Sequence, residues 1–133
     1  HYPCDTYNYP LACYRNIIYH IRKETQMQLK EVVNECLKQK GKQRLGCFHG
    51  LGFSYSRMIG EKPLLIRAVC QRGNREERLV CIEGAIEKLA DFNEEQALKI
   101  CNALRGEDKE VCVLAAKEKM YRTDKPLIDL YVK

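Results

Sequence analysis

The chain contains no apolar run approaching the roughly 20 residues that a bilayer-crossing helix requires, so nothing in it reads as a membrane span. No CxxC or CxxCH occurs, which removes the zinc knuckle, the thioredoxin-type redox pair and c-type haem attachment together. The GxSxG, HExxH, P-loop and dinucleotide fingerprints are also missing. Carboxylates fall on polar positions where ordinary solvation explains them. With 4 Pro and 8 Gly in 133 residues, collagenous and wholly disordered chains are excluded. These absences leave a non-enzymatic reading, with no catalytic residue, no cofactor and no metal-ligand set assigned.

What is present is a globular composition, 45% hydrophobic and 31% charged, on a chain long enough for one core. Eight cysteines, an even number, suit an oxidising compartment. The sequence begins at His1 rather than Met and carries no signal-peptide pattern, so the expectation is an exported product, periplasmic or secreted, whose signal has been removed. Charge is uneven: residues 1–78 hold 14 Lys/Arg against 7 Asp/Glu, and residues 79–133 hold 9 against 11. A basic half joined to an acidic half points to a protein partner or self-association, not to nucleic acid.

The cysteines stand at 4, 13, 36, 47, 70, 81, 101 and 112. Taken alternately, the first members are 32, 34 and 31 residues apart and the second members 34, 34 and 31. Regular spacing near 34 marks stacked helical hairpins. Aligned on the second cysteine, the segments are CYRNIIYHI, CFHGLGFSY, CIEGAIEKL and CVLAAKEKM. Offsets 0, 1, 4 and 8 are apolar or alanine in every copy (Cys47, Phe48, Leu51 and Tyr55 in the second), which is one face of an α-helix. Offset 3 is small in three copies (Gly50, Gly84, Ala115), and small residues let a neighbouring helix come close. Offset 2 (Arg15, His49, Glu83, Leu114) and offset 7 (His20, Ser54, Lys88, Lys119) are mostly polar, so His49 and His20 are expected to face solvent.

Helices are expected near 10–25, 28–39, 44–59, 63–72, 75–91, 94–105, 108–121 and 124–132. Breakers lie between them at Gly41, Gly73-Asn74 and Gly106, and Asn74/Glu77 and Asn93/Gln96 have capping-box spacing. The predicted fold is all-α: a short right-handed solenoid of four disulfide-stapled hairpins in one domain over 1–133, with units near 4–35, 36–69, 70–100 and 101–133.

In this register Cys4–Cys13, Cys36–Cys47, Cys70–Cys81 and Cys101–Cys112 each span the turn between two antiparallel helices. Eight cysteines allow 105 pairings, and the repeat selects this one. The alternative is a metal (copper) binding protein using His1 or free thiols. His1 could chelate through its amine and imidazole, but no two cysteines have the i, i+3 or i, i+4 spacing that a thiolate site inside a helical bundle wants. Equivalent turns of a solenoid share one edge, which would gather Lys38, Lys40, Lys42, Arg44, Arg72, Arg75 and Arg78 as either a docking strip for an acidic protein or a solvated row. Tyr7 and Tyr9, in a tyrosine-rich N-terminus, serve either to meet a partner or to cap the first unit.

The hairpin period and paired cysteines resemble the tetratricopeptide/Sel1-like superfamily of α-hairpin solenoids, above all its cysteine-rich secreted branch. The resemblance is architectural, since the Trp, Gly, Tyr and Pro signatures of tetratricopeptide repeats are missing and the cysteine spacing is longer than in the Sel1-like branch. It implies protein–protein recognition by a rigid curved surface, as in an accessory subunit or assembly factor of a larger complex. It brings no catalytic residues.

Overall fold

The structure, a computed structural model, describes residues 28–118. The expected helices at 10–25 and 124–132, the Cys4–Cys13 pair, His1, His20, Tyr7 and Tyr9 lie outside the described residues. Within them the chain is all-helical, with no strand. In order come α1 (Leu29–Leu37), α2 (Gly41–Glu61), α3 (Leu65–Cys70), α4 (Arg75–Phe92), α5 (Glu94–Cys101) and α6 (Gly106–Glu118). Short and long helices alternate.

Local chemistry accounts for the breaks. Gly41 and Gly106 adopt φ of +56° and +57°, a backbone region that a side chain disfavours, and each opens a long helix. α4 starts on a full capping box: Asn74 Oδ1 accepts from the Glu77 N–H at 3.0 Å and Glu77 accepts from the Asn74 N–H at 2.8 Å. Asn93 caps α5 by accepting from the Gln96 N–H, but the box is not closed. The Gln96 amide instead donates to the Gly60 carbonyl at 2.9 Å, tying α5 to the end of α2.

Three disulfides lock the short–long pairs: Cys36–Cys47, Cys70–Cys81 and Cys101–Cys112, with Cα atoms 5.3, 5.4 and 5.5 Å apart. These are pairs that the repeat register selects. In each, the second cysteine is the seventh residue of its long helix, and the first lies at or beside the end of its short one. Closing a loop of this length is worth about 3 kcal/mol in the chain-entropy model.

The strongest packing joins α2 to α4, and α4 in turn packs on α6. α2 and α4 run in the same direction, since Arg44 meets Glu77, Gly52 meets Cys81 and Ala85, and Gly60 meets Leu89. α3 touches both α2 and α4, and α5 both α4 and α6. The core runs through all six helices and includes Val32, Phe48, Leu51, Ile59, Ile66, Ile82, Ile86, Ile100 and Ala116. The apolar offsets 0, 1, 4 and 8 fall into it: Cys47, Phe48, Leu51 and Tyr55 from α2, and Cys81, Ile82, Ala85 and Leu89 from α4.

α2 and α4 meet glycine to backbone in both directions. A Cβ on Gly52 would collide with the Cys81 carbonyl oxygen and lie 3.0 Å from the Ala85 nitrogen. One on Gly84 would collide with the His49 carbonyl oxygen and lie 3.2 Å from the Phe53 nitrogen. The small-residue column therefore holds for Gly84. On α2 the close contact is made by Gly52, two residues beyond Gly50.

Candidate functional site

Where α2 and α4 are pressed together, their offset-2 positions face one another. His49, expected at the surface, is buried at 3% exposure. Its Nε2 lies 3.2 Å from Glu83 Oε1 and 3.1 Å from Glu87 Oε1. Both glutamates are equally buried. They lie one turn apart on α4, so their side chains leave the helix on the same face. The burial of His49 has a simple cause. A helix between neighbours on two sides has two buried faces, and offset 2 lies on the second. Stacking brings like positions of successive units together, so His49 and Glu83, in one alignment column, become contacts. Glu87 joins them from the next turn. That column was the available signal, and polarity masked it.

Burial opposes charging the His49 ring, but the Glu87 carboxylate first, then hydrogen bonding to Glu83 and Glu87, outweighs it and raises the pKa from 6.5 to about 9. Glu87 is itself raised above the ordinary carboxylate value, chiefly by burial, with His49 pulling the other way. The cluster thus holds on to protons. The second ring nitrogen, His49 Nδ1, is buried without a hydrogen-bond partner among the described residues.

The basic turn edge looks different from its sequence. Arg44 forms an ion pair with Glu77 of α4 and also donates to the Leu37 carbonyl. Arg75 pairs with Glu107 and Arg78 with Asp108, the latter at 2.8 Å, both bridging α4 to α6. Lys38 pairs with Glu35 at 3.0 Å, and Arg72 donates to the Ala68 carbonyl at 2.9 Å. Lys40 and Lys42 are exposed. Three of the seven cations therefore join neighbouring helix pairs. Two of those bridges have the same register: an arginine three residues before one long-helix cysteine meets an acid four residues before the next.

At the far end, where α2 and α4 finish, a cleft of about 450 Å³ opens between Ser56, Arg57, Gly60, Lys88, Leu89 and Phe92, with Glu61 and Gln96 completing its lining. Phe92 is 80% exposed on its rim. Lys88 lies over the Phe53 ring, 4.5 Å from its centroid. Sequence reasoning did not single out these residues, because one exposed aromatic at a helix end carries no periodic signal.

All six cysteines of the described residues are in disulfides, so none of them offers a thiolate. Three such bonds in one chain fit an oxidising compartment. No helix among the described residues is long and apolar enough to cross a membrane. Comparison of the chain with protein-family models, curated proteins and solved structures gives no match.

Proposed function

We propose that this chain is an exported, non-enzymatic protein-interaction module, periplasmic or secreted, serving as an accessory subunit or assembly factor of a larger complex. Its architecture on this reading is a short right-handed solenoid of four stapled hairpins, built like the cysteine-rich Sel1-like proteins. Support for the stacking comes from ion pairs that repeat in register, Arg44–Glu77 and Arg78–Asp108. Support for rigidity comes from the three bonded helix pairs.

One observation carries the docking function: Phe92, 80% exposed, stands on the rim of the cleft between the ends of α2 and α4. An aromatic left in water beside a concave surface is a ready anchor for a protein interface. Arg57 and Lys88 outnumber Glu61 in the lining, so the fitting partner presents an apolar side chain flanked by acidic ones. On this reading the contact lies at the helix ends and not along the turn edge, where Arg44, Arg75 and Arg78 are engaged with carboxylates.

The test is cross-linked capture from the native extract with the oxidised protein and its Phe92→Ser variant. Phe92 is so exposed that the change should move stability by no more than about 0.5 kcal/mol. A specific partner retained by the parent and lost at least tenfold by F92S is the expected result. A chain that stays monomeric and partnerless, or an F92S variant that captures equally well, overturns the proposal.

A further inference from the structure

The cluster between α2 and α4 has a geometry that a structural ion pair does not require. A histidine serving only to neutralise two carboxylates would set one against each ring nitrogen and satisfy both. Here both carboxylates converge on the same nitrogen, and the other nitrogen has no partner among the described residues. One Nε2–H can point squarely at only one of two oxygens. Once that proton is lost, Nε2 and one oxygen of each carboxylate are three Lewis-basic atoms within 4.8 Å of one another.

We propose that His49 Nε2 and the carboxylates of Glu83 and Glu87 form a binding site for a divalent first-row transition-metal ion. The spacing suits it. Ligands about 2.0–2.2 Å from a tetrahedral ion lie about 3.3–3.6 Å apart, close to the 3.1 and 3.2 Å seen from Nε2 to the two oxygens. One imidazole and two carboxylates make a borderline donor set that favours Zn2+ and its neighbours. Ca2+ wants six or more oxygens, and Mg2+ keeps most of its waters. Three protein ligands leave a fourth tetrahedral position for water or another donor.

The frame is stiff where the ligands sit. Gly84, next to Glu83, rests on the carbonyl of His49 itself, and Gly52 rests on Cys81. Ligand positions are therefore set by backbone contact between two helices, which preorganises them. One feature limits the affinity and another the rate of uptake. With Nε2 on the ion, the ring proton sits on Nδ1, which has no described acceptor, and loss of such an outer partner typically costs about 10–100-fold. Burial of all three ligands also means that the ion enters only when the helices part, so uptake is slow. This inference is independent of the docking function.

The experiment is overnight equilibrium dialysis of the untagged, EDTA-stripped full chain against buffered Zn2+, with NMR of the histidine ring protons. One Zn2+ per chain is expected, with the His49 ring resonances shifted. Binding should persist in a His1→Ala/His20→Ala double variant and weaken at least tenfold in E87Q, which keeps the shape of the side chain. No bound zinc at millimolar metal, zinc that leaves the His49 ring unshifted, or a folded E87Q that binds as tightly as the parent overturns the site. Should E87Q not fold, the His49 resonances of the parent chain decide alone.

Discussion

At the scale of single residues, the close approach of α2 and α4 makes two glycines irreplaceable for a steric reason. In a solvent-facing helix interior, Gly→Ala should gain about 1 kcal/mol from helix propensity. At Gly84 the added methyl meets the His49 carbonyl, which is backbone and cannot swing away. Gly84→Ala should therefore lower stability by about 3 kcal/mol in urea unfolding, at the upper end of ordinary overpacking. Gly60 is the control. A Cβ there meets the end of the Leu89 side chain at 2.9 Å, which a small rotation relieves, so Gly60→Ala should lie within about 1 kcal/mol of the parent. Equal effects at both positions would refute the distinction. The residue scale is also where sequence reading succeeds least. Gly84 was legible as a small residue in a packing column. His49 was misplaced because polarity was read as exposure, although a charged partner in the same column could have identified a contact.

At the scale of helices, the all-α class and the helix breaks were legible. Gly41, Asn74, Asn93 and Gly106 mark the starts of elements because each has a local reason to break or cap a helix, and such reasons need no tertiary context. The cysteine period supplied the order of pairing. Ion pairs between elements were not legible, since Arg44 and Glu77 are 33 residues apart and only stacking joins them. Helices as short as α3, six residues, cannot persist alone and depend on their covalent link and their neighbours. Replacing Cys70 and Cys81 together by serine should cost about 3 kcal/mol and melt α3 first. Hydrogen exchange gives the check: amides of 65–70 should lose protection before those of α2. Unchanged protection there would mean that packing, not the bond, holds α3.

At the scale of the whole molecule, the buried cluster ties stability to pH. The His49 pKa in the folded chain, about 9, lies above its unfolded value of 6.5. Its contribution is therefore complete below pH 6.5 and is lost as pH rises through 9. Glu87 is shifted in the same direction, so its contribution likewise fades as pH rises above the ordinary carboxylate range. The two groups titrate as one coupled pair, and both favour the protonated cluster in the folded chain. The metal-free protein should lose about 3 kcal/mol between pH 6 and 10, equivalent to about 10 °C in Tm for a domain of this size. Thermal melts in EDTA across that range measure it, and His49→Gln should flatten the curve. A parent profile that is already flat would show that the cluster holds no extra proton.

The spacing of the three bridges has a consequence for how the chain matures. Each joins cysteines eleven residues apart, while the next cysteine follows only after a further 23 or 20. A polypeptide entering an oxidising space with its N-terminus leading would present the first sulfur of each of these three pairs with its mate before the next downstream cysteine has emerged. Correct oxidation then follows from the order of arrival, with little need for an isomerase to undo wrong choices.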